Sequence, residues 1–268
     1  MKLSLAISPC PNDTFLFEPL LAGRIDTEGL EFDLQFADIA ELNQLARHAS
    51  TDVVKLSFFT YAMVREQYAL LEAGSALGRG CGPLLVSREP ITRDDLARAR
   101  IAIPGVDTTA HLLLQSYAPE AVRREVRVFH EIMPAVLSSE YDAGVIIHES
   151  RFTYAQLGLQ LVEDLGSYWE RTTGLPIPLG AIAAKRTLGS DVIASLNRVI
   201  RRSAEYALAN PDVPMPFVRA HAQEMDEAVM RAHIALYVNE FSVDLGPEGH
   251  RVVATLLERA DKMIELGR

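Results

Sequence analysis

Short apolar runs alternate with segments of helical spacing along the chain as far as Ala184, and beyond Asp191 only the helical spacing remains. Residues 3–7, 30–36, 53–57, 83–86, 100–103, 126–129, 144–147 and 176–184 read as strands. Residues 30–36 alternate apolar and polar as a half-buried strand should, whereas 53–57 reads as a short buried strand. Residues 39–48, 58–68 and 108–115 fit helices, and the turn after residue 7 enters another that Asn12 or Asp13 can cap. Strands interleaved with helices predict an α/β fold with largely parallel sheets.

The helical tail repeats apolar residues at helical spacing, first at Val192, Ile193, Leu196, Val199 and Ile200, then at Val252, Val253, Leu256, Leu257 and Ile264. Such a tail after two α/β blocks is expected to pack back on the first block. At ~150 residues per domain, 268 residues make one large domain or two modest ones. No Gly/Ser linker separates the halves, as expected of two lobes joined by two crossovers. The expected division is residues 1–90 plus 188–268 for a discontinuous first lobe and 91–187 for the second. In such folds ligands sit beyond the carboxyl ends of strands, so strand-end residues are the ones to question.

Composition narrows the function classes. With 49% hydrophobic and 23% charged residues the chain is neither disordered nor collagen-like. Lys and Arg total 26 against 36 Asp and Glu, a net charge of −10, which gives no general attraction to nucleic acid or to anionic lipid. Two cysteines, Cys10 and Cys81, make neither a disulfide framework nor a four-thiolate zinc site. The apolar run before Pro9 is too short for a signal peptide, and no segment reaches the ~18 apolar residues a membrane helix needs. A cytoplasmic, reduced protein with no nucleic-acid or membrane partner is expected.

His148 closes the apolar run from Ala143 to Ile147, where a neutral imidazole can serve as a general base with Glu149 beside it; a core histidine bonded to a carbonyl fits the same pattern. Thr108 and Thr109 stand at a strand-to-helix turn after Pro104 and Gly105. Free N–H groups and two hydroxyls there suit a carboxylate or phosphate, and ordinary helix capping suits them equally. Lys55 and Ser57 bracket Leu56 at another strand end; the lysine can meet an anionic substrate or snorkel to solvent. Gly78-Arg79-Gly80-Cys81-Gly82-Pro83 lacks the context of a phosphate loop and suits a close backbone approach or a crossing between lobes. His148-Glu149 and His130-Glu131 both fail to complete a His-Glu-x-x-His zinc helix, so no metal site is expected. Trp169 fits a core position or a cover over the cleft.

Together, Ser8-Pro-Cys-Pro-Asn-Asp-Thr-Phe15, Lys55-Leu-Ser57, Gly78-Arg-Gly80, Thr108-Thr109, Ile146-Ile-His-Glu-Ser-Arg-Phe-Thr-Tyr154 and Gly174-Leu-Pro-Ile-Pro-Leu-Gly180 resemble the 1,4-dihydroxy-6-naphthoate synthases over nearly the whole chain. The resemblance implies a two-lobed periplasmic-binding-protein-like (type II) fold with a cleft between lobes and a C-terminal helical segment. It implies a cytoplasmic lyase of the futalosine route to menaquinone that needs no cofactor and takes cyclic dehypoxanthinylfutalosine as its small-molecule substrate. The family's proton acceptor falls on His148, and its substrate-binding positions fall on Lys55, Leu56, Ser57, Thr108 and Thr109. Two rival readings stand beside it: a cytoplasmic small-anion binding protein, and the sibling chorismate dehydratase of the same fold. The oligomeric state is not legible in the sequence.

Overall fold

The computed structural model describes residues 1–223 and 226–265. β1 (Lys2–Ile7) leads through a Pro-Cys-Pro turn into α1 (Pro11–Leu21), and β2 (Glu31–Phe36) leads into α2 (Ile39–Arg47). β3 (Val53–Ser57), α3 (Phe58–Val64), β4 (Tyr68–Leu70) and β5 (Ala76–Gly78) follow. The middle of the chain holds β6 (Leu84–Ser87), β7 (Ile101–Ile103), α4 (Thr109–Tyr117), β8 (Arg124–Val126) and α5 (Phe129–Leu137). It continues through β9 (Ala143–Ile146), α6 (Ser150–Thr153), β10 (Gln160–Asp164) and α7 (Leu165–Thr173). β11 (Ile177–Lys185) then precedes α8 (Ser190–Ala209), α9 (Met215–His221), α10 (Glu227–Tyr237), α11 (Glu240–Val243) and α12 (Gly246–Glu265).

Two expected elements end differently. Phe129 opens α5 instead of closing a strand, because Phe129, Ile132, Ala135 and Val136 recur at helical spacing and are buried while Val126 and Val128 are exposed. The helix expected to reach Tyr68 stops at Val64. Tyr68 instead starts β4, pairs with Lys185 and donates its hydroxyl to Thr51 O at 2.6 Å.

The chain divides into two compact units, Met1–Gly78 with Pro178–Arg268, and Arg79–Ile177. These divisions fall some ten residues before the expected ones near 90 and 188. Strand pairing explains the offset: β6 pairs with β9 and β10 of the second unit, and β11 pairs with β3 and β4 of the first.

In the first unit the sheet order is β2-β1-β3-β11-β4, with β5 also on β11. β1 runs parallel to β2 and β3, but β11 is antiparallel to both β3 and β4, so the sheet is mixed where a largely parallel one was expected. Leu3, Leu5, Ile7, Phe15, Phe17, Leu196, Val199 and Ile200 share its core, and so the tail does pack on the first block. Pro19 inside α1 lacks an N–H, and α8 supplies a bridge at the next rung. Leu20 N donates to Ser203 Oγ at 3.2 Å, and that hydroxyl donates to Leu16 O at 2.6 Å.

The second unit has the order β10-β6-β9-β7-β8, again mixed, with β7 parallel to β8 and β9 but β6 antiparallel to β9 and β10. Trp169 is a core residue, buried with its indole N–H donating to Pro176 O at 2.8 Å, so the cover reading is set aside. Gly82 lies against the backbone of Gly166: a Cβ at Gly82 would come 2.2 Å from Gly166 Cα and 2.4 Å from its nitrogen. No side chain can swing away to relieve that contact. Gly82→Ala is therefore expected to cost about 2–3 kcal/mol, read as a lower urea midpoint.

Candidate functional site

The first unit contributes the end of β3. Leu56 is fully buried; Lys55 and Ser57, two residues apart, share the opposite face. Lys55 is 5% exposed, and its ammonium donates to Asp13 Oδ1 at 2.8 Å; Asp13 is 1% exposed. The snorkelling reading of Lys55 is thereby corrected. The lysine is one half of a buried ion pair, so its charge is balanced within the first unit. Asp13 also accepts from Asn12 Nδ2 at 2.8 Å and from Ser8 Oγ and N at 2.7 and 3.3 Å. Neither Asn12 nor Asp13 caps α1 as expected. Cys10 is its N-cap, without a side-chain cap, and Asp13 sits in the first turn with its oxygens turned to Ser8, Asn12 and Lys55.

Gly180 makes room for this pair. It lies directly across from Ser57 in the β11–β3 ladder, and a Cβ there would come 2.9 Å from Lys55 Cε. Ser57 is held by α2: its N–H donates to Asn43 Oδ1 at 2.9 Å, and Asn43 Nδ2 donates to Ser57 Oγ at 3.1 Å.

The second unit contributes two strand-end turns. Thr108 is the N-cap of α4; its Oγ1 accepts from His111 N at 3.2 Å and donates to Gly105 O at 2.7 Å. The capping reading holds for that hydroxyl. Thr109, buried, is the first residue of the helix.

His148 lies two residues beyond the end of β9, half-buried in the turn before α6. Its φ is +57°, a left-handed backbone that costs a non-glycine residue about 1–3 kcal/mol and persists only where the surroundings enforce it. Its ring stands nearly edge-on to Phe129 at 5.0 Å between centroids. Glu149 is buried beside it in the chain.

Sequence reasoning passed over His111, Asn43, Asp13 as a partner of Lys55, and Arg151. His111 Nδ1 lies 2.7 Å from Val106 O and Nε2 lies 3.2 Å from Arg124 Nη1. The guanidinium only donates, so Nε2 accepts and Nδ1 carries the proton of a neutral ring. Burial is the main cause that pushes the His111 pKa down, with Arg124 adding to it. Arg151 reaches Gly82 O with one nitrogen and Asp164 with another at 3.3 Å, so it ties the glycine stretch to the cap of α7. Burial pushes the Cys81 thiol up to about 12, which removes it as a nucleophile at neutral pH. Among the described residues no group of three or more His, Cys, Asp or Glu side chains is placed to hold a metal.

Mixed α/β units with this strand order place the chain among periplasmic-binding-protein-like folds. A ligand-binding component of an ABC-type import system from Staphylococcus aureus matches with a TM-score of 0.68 at 10% identity, over 97% of this chain and 91% of that one. A Candida albicans protein described as having the generic periplasmic binding protein fold matches with a TM-score of 0.68 at 14% identity, over 97% and 90%. A crystal structure of a protein from Archaeoglobus fulgidus reaches a TM-score of 0.92 at 34% identity, over 98% of this chain and 97% of that one.

Residues 3–262 match the family described as menaquinone biosynthesis, and the chain belongs to it. It is 48% identical over 259 residues to the 1,4-dihydroxy-6-naphthoate synthase of Thermus thermophilus, covering 97% of this chain and 94% of that one. It is 46% identical over 263 residues to the enzyme of the same name from Streptomyces coelicolor, covering 96% and 92%.

Two measurements check this chemistry. Asp13→Asn leaves a buried ammonium without its counter-charge and should cost about 3–5 kcal/mol, with much of the loss recovered when Lys55→Met is added; urea denaturation of both variants reads it. For His111 the folded pKa lies below the ordinary 6.5, so the unfolded chain binds the extra proton first as pH falls. Its contribution is complete above 6.5 and drains away as pH drops toward the folded value, and His111→Gln should flatten that part of the Tm-against-pH curve.

Proposed function

We propose that this chain is a carbon–carbon lyase that converts cyclic dehypoxanthinylfutalosine to 1,4-dihydroxy-6-naphthoate, with no cofactor and with His148 as general base. Lys55, Leu56, Ser57, Thr108 and Thr109 hold the substrate, and the enzyme works in the cytoplasm. The observation that carries the reading is the backbone of His148. A half-buried imidazole is kept in a strained left-handed conformation at a strand end, in a chain 48% identical to a naphthoate synthase. Strain of that kind concentrates where a side chain must be aimed.

In this mechanism His148 takes a hydroxyl proton from the sugar-derived part of the substrate. The alkoxide closes to a carbonyl, and the carbon–carbon bond breaks in the retro-aldol sense. Its electrons pass into the bicyclic ring system, and the aromatic product drives the step forward. Such a reaction asks for one placed base and an anchored substrate. The paired Lys55 offers hydrogen bonds to the substrate without an unbalanced charge.

His148→Asn should keep the fold and lower kcat by about 10²–10⁴-fold, the usual worth of a general base. Naphthoate fluorescence from purified cyclic substrate is the readout, and near-normal turnover would sink the assignment. The same assay separates a binding protein, which returns its ligand unchanged.

A further inference from the structure

Asp13 is closed to any ligand by its own neighbours. Its Oδ2 accepts from Ser8 Oγ at 2.7 Å and Ser8 N at 3.3 Å, and its Oδ1 accepts from Asn12 Nδ2 and Lys55 Nζ, each at 2.8 Å. These donors occupy the roughly four lone-pair sites of a carboxylate. The Ser8 hydroxyl is itself placed, because it accepts from Cys10 N at 3.3 Å in the same turn. Ser8, Asn12 and Asp13 are all buried.

Gly180 bounds the lysine chain from β11. It pairs with Ser57, so it is the diagonal neighbour of Lys55 across the β3–β11 ladder. A Cβ there would come 2.9 Å from Lys55 Cε and 3.7 Å from Nζ. The first distance is closer than atoms pack, so a side chain at 180 would push the end of the lysine off its path to Asp13. The ammonium has three N–H groups, and among the described residues Asp13 is its one acceptor. The other two N–H groups are left for a ligand.

We infer that Ser8, Asp13 and Gly180 are positioning residues that aim the two remaining N–H groups of Lys55 at the substrate. The inference rests on the reading that Lys55 touches the substrate. An ammonium is tetrahedral: once the space at Gly180 sets its Cε–Nζ bond and Asp13 takes one N–H, the other two directions are fixed. The rotamer freedom of a lysine is thereby given up on folding rather than on binding. Neither Ser8 nor Gly180 carries a charge, so changing either one moves the ammonium and leaves both charges of the ion pair in place.

The test uses the full chain labelled with 15N-lysine, which has only four lysines, Lys2, Lys55, Lys185 and Lys262. The Lys55 ammonium gives its own NMR signal because burial in an ion pair slows the exchange of its protons, and the paired change Lys55→Met with Asp13→Asn assigns it. The naphthoate product is titrated in the absence of air, and in wild type it should shift the Lys55 signal. In Gly180→Ala that signal should stand elsewhere before product is added, and product should bind at least about fivefold more weakly, as a small misplacement of a binding group brings. Ser8→Ala should do both as well, and it carries the test alone if Gly180→Ala does not fold. A wild-type protein that does not bind product, or whose Lys55 signal ignores it, overturns the inference. So does a folded variant in which signal and affinity do not change together, or in which neither changes. Turnover of the cyclic substrate is measured separately on wild type. No turnover with a Lys55 signal that answers product defeats the functional reading alone, and turnover with a signal indifferent to product defeats the aiming of Lys55 alone.

Discussion

The return of β11 beside β3 is the constraint on which the first unit depends. β11 arrives after the chain has built the whole second unit, and it enters antiparallel between β3 and β4. Without it β3 would be an edge, β4 would have no neighbour in the sheet, and Ile182 and Ala184 would be missing from the core beneath α1 and α8. The same strand supplies Gly180, whose lack of a side chain lets Lys55 lie flat toward Asp13. Core formation and the local chemistry of β3 therefore draw on one pairing.

Several buried polar groups take partners from different elements. Lys55 on β3 meets Asp13 on α1, Asn43 on α2 holds Ser57, and Ser203 on α8 bridges α1 at its internal proline. In the second unit Arg124 on β8 reaches His111 on α4, and Arg151 spans the glycine stretch and Asp164. A buried ion pair of this kind is weak evidence of net stability, because desolvation opposes the Coulomb gain. Its effect here is directional, since it fixes where an ammonium points.

Local signals were read well from the sequence. Thr108 caps α4 through a bond to His111 N three residues on, one of the two readings its position allowed. β3 occupies the residues expected, and the helices beyond Asp191 follow the apolar spacing. The errors have a shared cause. Asp13 looked like a cap because short acidic residues cap helices, yet its partner Lys55 stands 42 positions away. Residues 126–129 looked like one strand because a short apolar run has no period of its own, yet β8 ends at Val126 and the burial of Phe129, Ile132 and Val136 marks Phe129 as the start of α5.

The sequence by itself determined the alternation of strands and helices, the helical tail, and the set of residues that tie this chain to the menaquinone biosynthesis family. Tertiary structure alone decided the direction of each strand, the unit to which residues 79–90 and 178–187 belong, and the pairing that cancels the charge of Lys55. The division has a physical reason. Propensity, spacing and capping act within a turn or two of the chain, so they are written where they act. Strand order and the partners of buried polar groups depend on which distant segments close together, and Ser57 meets the amide of Asn43 only when α2 arrives beside β3.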